Sequence, residues 1–199
     1  MARLGIFCPP WIGHLNPFSA LARELTGRGH QVIFFQPGSV AERVRARGFR
    51  VEVFGPQDDL SGNFAERHRE MSRLEGLPAM RAGLDILLSE AEALFTTAPP
   101  VIEKAGLDLW LVDHLDFAAS TLAACMRAPF VSVIVGLMRH REDGVPGFSG
   151  EPYTDAPAAL ERDRRFDQAM VAAAGPYRDF VGAQRIKAGL GPFDRDRLW

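Results

Sequence analysis

Residues 3–35 constrain the fold more than any other stretch of the chain. A short apolar run, Leu4 to Cys8, stops at a Pro-Pro pair, and a second apolar run, Val32 to Phe35, follows further along. Neither run alternates with polar residues, which is typical of strands buried on both faces of a parallel sheet. Between the two runs, apolar residues recur at helical spacing: Phe18, Leu21, Ala22 and Leu25. The stretch therefore predicts a right-handed β-α-β unit.

The connection into this helix has its own sequence signals. Asn16 is a suitable N-cap, and Pro17 would take the first helical position, where its missing N–H costs nothing. Gly27 and Gly29 end the helix. His14 would then lie in the loop before the helix. We expect chemistry at this residue, because imidazole titrates near neutral pH.

Strands and helices continue to alternate after this unit. The first 56 residues read β-α-β-α-β, and residues 57–98 then interrupt the pattern with a polar loop, a short charged helix and a longer helix that Pro78 opens. Insertions of this kind commonly lie over a ligand crevice in open α/β folds. The later segments are a short helix at 100–105, a strand at 108–112, a helix at 117–126, a strand at 129–135, a Gly/Pro-rich loop at 139–157 and mostly helical sequence at 158–188.

This pattern predicts an α/β fold with a doubly wound, mostly parallel, Rossmann-like sheet and helices on both faces. Residues 1–193 would form a single domain, and residues 194–199 a tail. In the common strand order 3-2-1-4-5, strands 1 and 4 are neighbours, and ligands bind outside the carboxyl ends of strands at that point. His14 follows strand 1 and Asp113 ends strand 4. If the sheet takes this strand order, topology alone places these two residues in one crevice.

Composition excludes several classes of protein. The chain has 23 Lys and Arg against 25 Asp and Glu, a net charge of −2, which argues against a dedicated nucleic-acid binder. We interpret the basic cluster Arg43, Arg45, Arg47 and Arg50 as a solvated face. The two cysteines, Cys8 and Cys125, fit buried free thiols in a reducing compartment, and no Cys/His spacing indicates a metal. No apolar run is long enough to span a bilayer, and we expect a cytoplasmic protein.

A histidine with a carboxylate behind it is a general base. The carboxylate fixes the tautomer of the ring and stabilises the imidazolium that forms. No G-x-S-x-G elbow, catalytic-Cys signature, dinucleotide fingerprint or Walker lysine is present. The residues therefore favour activation of a substrate hydroxyl over covalent catalysis. One ambiguity stays open, because either Asp113 or Asp116 would serve as the cap of the next helix, and His114 beside them is interpreted as a local polar residue.

Three stretches resemble a known family. They are Pro9-Pro-Trp-Ile-Gly-His-Leu-Asn-Pro17 with Leu21-Ala-Arg-Glu-Leu25 and Arg28-Gly-His-Gln-Val32; Leu111-Val-Asp113 with Ala128-Pro-Phe-Val-Ser-Val133; and Arg141-Glu-Asp-Gly-Val-Pro-Gly147. Together they are similar to the amino-terminal half of UDP-dependent glycosyltransferases of the GT-B fold, in particular the macrolide-type and zeaxanthin-glucosyltransferase-like enzymes. The resemblance runs over nearly the whole chain.

The resemblance implies an inverting transfer of a sugar from a UDP-sugar, the donor substrate, to an acceptor hydroxyl. His14 matches the family's catalytic base, and Asp113 matches its carboxylate partner. No resident cofactor is implied, and the donor site would lie mostly on a second, carboxy-terminal domain that this chain does not include. We therefore expect activity only when a separate donor domain or subunit is supplied.

The acceptor-binding residues are predicted less directly. Trp11 beside His14 is the best candidate, and Ile12, Phe117, Met138 and Phe148 are further candidates for an apolar pocket. Apolar residues of the insertion favour a small lipophilic acceptor with a hydroxyl group. The alternative is a non-catalytic binding or regulatory module derived from such an enzyme, and a third interpretation is a GT-B-like sugar-nucleotide epimerase. An exposed apolar face for a second domain would favour the half-enzyme.

Overall fold

The computed structural model describes residues 1–55, 63–136, 152 and 154–192. The strands within these residues are β1 (Arg3–Phe7), β2 (Gln31–Pro37), β3 (Arg50–Phe54), β4 (Leu109–Asp113) and β5 (Phe130–Val133). The helices are α1 (Ile12–Gly27), α2 (Gly38–Arg45), α3 (Asn63–Met71), α4 (Gly76–Ala105), α5 (Phe117–Cys125), α6 (Pro157–Ala173) and α7 (Gly175–Lys187). The predicted alternation of strands and helices is thus present.

The five strands form one parallel sheet in the order β3-β2-β1-β4-β5. In the centre, Ile6 of β1 pairs with Phe34 of β2 on one side and with Leu111 of β4 on the other. The strand order reverses between β1 and β4, in agreement with the common doubly wound order assumed from the sequence. The carboxyl ends of β1 and β4 therefore meet at the edge of the sheet where α/β proteins bind ligands.

Helices cover both faces of the sheet, and each face has its own apolar cluster. On one face, α4, α5 and α7 pack over Phe7, Phe35 and Trp110. The ring of Phe7 stacks on that of Phe35, with centroids 4.7 Å apart, and on that of Trp110, with centroids 4.3 Å apart. On the other face, α1 and α2 pack over residues such as Ile6 and Phe34. Burial on both faces explains why the strands read as continuous apolar runs.

The long helix α4 differs from the prediction. The sequence indicates a break before a short helix at 100–105, yet α4 runs for 30 residues and includes Pro99 and Pro100. Each proline removes a backbone donor. However, Ala98, Ile102 and Ala105 all lie in the core cluster under α4, so burial keeps the same helical face in register across the prolines. Packing therefore outweighs the local signal.

None of the helices in the described part of the chain is both long and apolar enough to cross a membrane.

Candidate active site

His14 and Asp113 contact each other at the carboxyl edge of the sheet. The Nδ1 atom of His14 lies 2.7 Å from Oδ2 of Asp113. The Asp113 side chain is 0% exposed and that of His14 is 15% exposed. Asp113 is the last residue of β4, and His14 follows β1, so the neighbouring strands bring together residues 99 positions apart. The structure thus places together the two residues that topology predicts to meet.

His14 lies in the first turn of α1 and not in the loop where the sequence predicts it. The N–H groups of His14 and Leu15 donate to the carbonyl of Trp11 at 3.0 Å and 2.9 Å, so α1 begins at Ile12. The prediction that Asn16 caps this helix is wrong, and Pro17 lies inside it. Leu15 is fully buried, which fixes the early turn against the core. The earlier start restricts the position of the imidazole.

Asp113 does not cap the following helix, so its carboxylate is available for the contact with His14. Oδ1 of Asp116 accepts a hydrogen bond from the backbone N–H of Ala119 at 2.9 Å, which identifies Asp116 as the cap of α5. Oδ1 of Asp113 accepts from the backbone N–H of Leu115, also at 2.9 Å. The ambiguity between the two carboxylates is thereby resolved.

The hydrogen-bond partners also decide the tautomer of His14. A carboxylate only accepts hydrogen bonds, so Nδ1 of His14 carries the proton that faces Asp113, and in the neutral ring Nε2 then keeps its lone pair. A neutral imidazole in this state accepts a proton at Nε2. A second histidine, which the sequence offered only as a local polar residue, also approaches: Nδ1 of His114 lies 3.4 Å from Oδ1 of Asp113. In the sequence, only the position of His114 directly after Asp113 could have indicated that it lies at this site.

Two further buried carboxyl groups belong to this region, because Asp116 interacts electrostatically with Asp113 and Glu90 interacts with Asp116. Burial raises the pKa of Asp116 from 3.8 to about 6, with the nearby Asp113 acting in the same direction and the hydrogen bond from Ala119 opposing it. Burial and the neighbouring Asp116 also raise the pKa of Glu90 well above its usual value, against the opposing charge of Arg67. Both carboxyls line an internal cavity of about 20 Å³ together with Tyr177. Burial thus makes the stability of this region depend on pH.

An apolar cavity of about 480 Å³ adjoins the His14–Asp113 pair. The indole ring of Trp11 lies on its wall, and its centroid is 5.7 Å from the His14 ring in an edge-to-face arrangement. Leu115, two residues after Asp113, lies on the wall as well. The remaining lining comes from α6 and from the insertion that interrupts the strand–helix pattern: Met71, Gly76, Ala79, Met80, Gly83, Leu84, Leu87 and Met170. A cavity of this size and character suits an apolar small molecule.

The predicted acceptor-binding residues lie in different places. Trp11 lines the cavity, whereas the Ile12 side chain is 57% exposed and Phe117 packs near Tyr177, with ring centroids 6.4 Å apart. Neither Ile12 nor Phe117 is among the lining residues of that cavity. Met138 and Phe148 lie outside the described residues. Sequence reasoning did not name Gly83 and Met71 individually, since only the packing of α3 against α4 shows which side chains face the cavity.

Across the described residues, no group of three or more His, Cys, Asp or Glu side chains is placed to hold a metal ion.

The amino-acid sequence is similar to those of known glycosyltransferases and of a related synthase. No family model matches the chain. A zeaxanthin glucosyltransferase from Pseudescherichia vulneris is 27% identical over 73% of this chain and 34% of its own length. The 4'-demethylrebeccamycin synthase from Lentzea aerocolonigenes is 25% identical over 94% of this chain and 47% of its own length. The chain thus spans between a third and a half of these relatives.

Solved structures share the fold over nearly all of the chain. The glycotransferase of kitacinnamycin superposes with a TM-score of 0.58 and 21% identity, covering 97% of this chain and 42% of that one. A Streptomyces sp. SF2575 glycosyltransferase in complex with thymidine diphosphate superposes with a TM-score of 0.60 and 15% identity, covering 97% and 47%. Sequence relatives and shared fold together identify the chain as a relative of the GT-B glycosyltransferases that corresponds in length to part of such a protein.

Proposed function

We propose that the chain is the acceptor-binding half of an inverting glycosyltransferase, which moves a sugar from a UDP-sugar to a hydroxyl of a small lipophilic acceptor. The observation that carries this proposal is the 2.7 Å contact between His14 and the buried Asp113, next to an apolar cavity of about 480 Å³. A general base is useful only beside the group it deprotonates. The cavity offers room for an apolar body whose hydroxyl would reach the base.

The proposed reaction follows from the tautomer of His14. Nε2 accepts the hydroxyl proton as the acceptor oxygen forms a bond to the anomeric carbon of the sugar. The bond between that carbon and the nucleoside diphosphate breaks on the opposite side, and the diphosphate leaves with the electron pair. Attack from the side opposite the leaving group inverts the anomeric centre. The buried Asp113 carboxylate stabilises the imidazolium that results, because their charges are opposite and water is excluded from the carboxylate.

The donor side of the proposal rests on the relatives. One structural neighbour binds thymidine diphosphate and is titled a glycosyltransferase, which supports a nucleotide-activated sugar as the donor. No residue of this chain is assigned to the nucleotide, and we place that site on a further domain or subunit.

The two edge strands of the sheet differ, and the difference supports the packing of further polypeptide beside β5. Edge strand β3 carries charged Arg50 and Glu52, a common protection of an edge. Edge strand β5 has no charged residue, and its Phe130 and Val131 are 41% and 48% exposed. Within the part of the chain that the structure describes, this strand is apolar and partly exposed, which is expected where more polypeptide packs.

The test measures product directly. The purified chain would be mixed with UDP-glucose and a panel of lipophilic alcohols, alone and with the donor domain of a related enzyme, and glycosylated product would be sought by mass spectrometry. We expect product only with the added domain, and its loss in His14→Ala with acceptor binding retained. His68→Ala on α3 is the matched control and should keep activity.

Two outcomes would contradict the proposal. Product from the chain alone would place the donor site on this chain. Acceptor binding without product under any condition would instead support the binding module, which needs the cavity and not the base.

A further inference from the structure

A second cavity lies at the amino-terminal ends of the strands, whereas His14 lies at their carboxyl ends. It has a volume of about 520 Å³ and is lined by the first residues of β2 and β3, Gln31 and Arg50, and by residues from the ends of α1 and α2. In a parallel sheet the strand starts and strand ends lie at opposite edges. A five-residue strand spans about 16 Å, so a ligand in this cavity would not touch the His14–Asp113 pair. The proposed sugar transfer therefore does not use this cavity.

The charges around this cavity are unbalanced. Its lining contains Arg23, Arg47 and Arg50 and no carboxylate. Arg50 is paired with Glu52 through a contact of 2.7 Å. Neither Arg23 nor Arg47 has a carboxylate partner among the residues that the structure describes. Two guanidinium groups thus face one cavity without a carboxylate partner among the described residues.

Both unpaired arginines are held in position by neutral groups. The half-buried Arg47 donates from Nη1 to the hydroxyl of Ser19 at 3.0 Å, and that hydroxyl donates to the carbonyl of Leu15 at 2.6 Å. The guanidinium of Arg23 lies over the ring of Phe49 at 5.5 Å from its centroid, a cation–π contact. The ring of Phe49 is in turn packed against Phe34, with centroids 5.1 Å apart. The two guanidinium groups are therefore oriented before any ligand binds.

We propose that this cavity binds a phosphate group carried by a small organic molecule or a lipid headgroup. Guanidinium groups present several N–H donors in a planar fork that matches phosphate oxygens, and they are less strongly hydrated than ammonium groups. Phe49 and the apolar residues Val32 and Ile33 in the lining would contact the organic part. A structural role for the arginines has a physical basis as well, because the carboxyl ends of α1 and α2 at this cavity carry partial negative charge that stabilises cations. The test must therefore separate a structural role from ligand binding.

The first arm of the test uses phosphate in solution. The purified chain would be titrated with inorganic phosphate and with phenyl phosphate by calorimetry, at constant ionic strength in chloride buffer. We expect saturable binding that Arg47→Gln and Arg23→Gln each weaken about tenfold or more, since each removes charge-assisted hydrogen bonds. Arg45→Gln, an exposed arginine of α2 outside the lining, removes the same charge and should leave binding unchanged.

The second arm identifies the source of the phosphate. Co-sedimentation with phosphatidylcholine vesicles, with and without phosphatidic acid, would show binding only to the acidic vesicles if a headgroup is the ligand, and Arg47→Gln would abolish it. Binding of phenyl phosphate without vesicle binding would identify a free phosphate ester.

Three results would overturn the proposal. The first is the absence of saturable binding of all these probes. The second is equal weakening by Arg45→Gln, which would mean non-specific charge attraction. The third is a lower melting temperature of Arg47→Gln with unchanged phosphate binding, which would assign the arginine to the helix ends. Arg23 lies exposed on α1, so Arg23→Gln keeps the test valid if Arg47→Gln does not fold.

Discussion

Replacement of Asp113 by Asn tests the proposed base through its tautomer. Asn has nearly the same shape as Asp, and its oxygen can still accept the Leu115 N–H that Oδ1 of Asp113 accepts at 2.9 Å. Its NH₂ group would then face Nδ1 of His14, where Oδ2 lies at 2.7 Å in the wild type. Two donors cannot face each other at that distance, so the imidazole would move its proton to Nε2. The nitrogen that should accept the hydroxyl proton would then be blocked.

The size of the effect follows from the role of the carboxylate. In the Ser-His-Asp triad, the same change of a buried Asp to Asn lowers the rate on the order of 10⁴-fold, because the wrong tautomer forms. We expect a loss of sugar transfer of about 10³- to 10⁴-fold for Asp113→Asn, or about 4–6 kcal/mol in the activation free energy. Acceptor affinity should change little, since Asp113 does not line the apolar cavity.

Two assays check this expectation. Nitrogen-15 NMR of the imidazole should show a protonated Nδ1 in the neutral wild-type ring and a protonated Nε2 in Asp113→Asn, and this needs no donor domain. Transfer kinetics with an added donor domain give the rate. Asp179→Asn, an exposed acid on α7, is the matched control. Activity of Asp113→Asn within about tenfold of wild type, or an unchanged tautomer, would refute the assignment.

The remaining predictions concern the cavity and the buried acids. Gly83→Leu should weaken binding of a lipophilic alcohol about tenfold or more in a fluorescence titration: an added Cβ would lie 3.4 Å from Sδ of Met71, and the larger side chain extends into the cavity. Equal weakening by Ala82→Leu, beside it on α4 and outside the lining, would contradict this. Asp116→Asn keeps the cap of α5 but not the charge. Because folding raises the pKa of Asp116 from 3.8 to about 6, the stabilisation from its protonated form is complete below pH 3.8 and is lost as pH rises through 6. The wild type should therefore gain about 2 kcal/mol relative to Asp116→Asn in denaturant unfolding as pH falls from 7 to 4; a difference independent of pH would exclude a raised pKa.

The sheet architecture and the contact between His14 and Asp113 could be anticipated from the sequence for the same reason. Continuous apolar runs such as Val32 to Phe35 mark strands buried on both faces, and short connections limit how those strands can be ordered. Once β1 and β4 are neighbours, a residue that follows β1 and the last residue of β4 lie at the same end of the sheet. His14 and Asp113 could thus be paired without any local signal that links them.

Helix boundaries and the cavity were less predictable, because they depend on packing. Asn16 and Pro17 are good local signals for a helix start. However, the burial of Leu15 and the hydrogen bonds to the carbonyl of Trp11 make α1 begin earlier, at Ile12. In the same way the core beneath α4 carries that helix through Pro99 and Pro100. The cavity lining depends on how the inserted helices pack, and an apolar pattern alone does not show which face is left open.

The most direct test of the proposed base compares a lipophilic alcohol with its methyl ether. Both should enter the apolar cavity and perturb the indole NMR signal of Trp11, whose ring lines it. Only the alcohol has a proton to donate to Nε2 of His14, so only the alcohol should shift that nitrogen's resonance, and Asp113→Asn should abolish the shift. If both ligands bind and neither affects Nε2 of His14, the cavity does not present a hydroxyl to this histidine, and His14 is not the base.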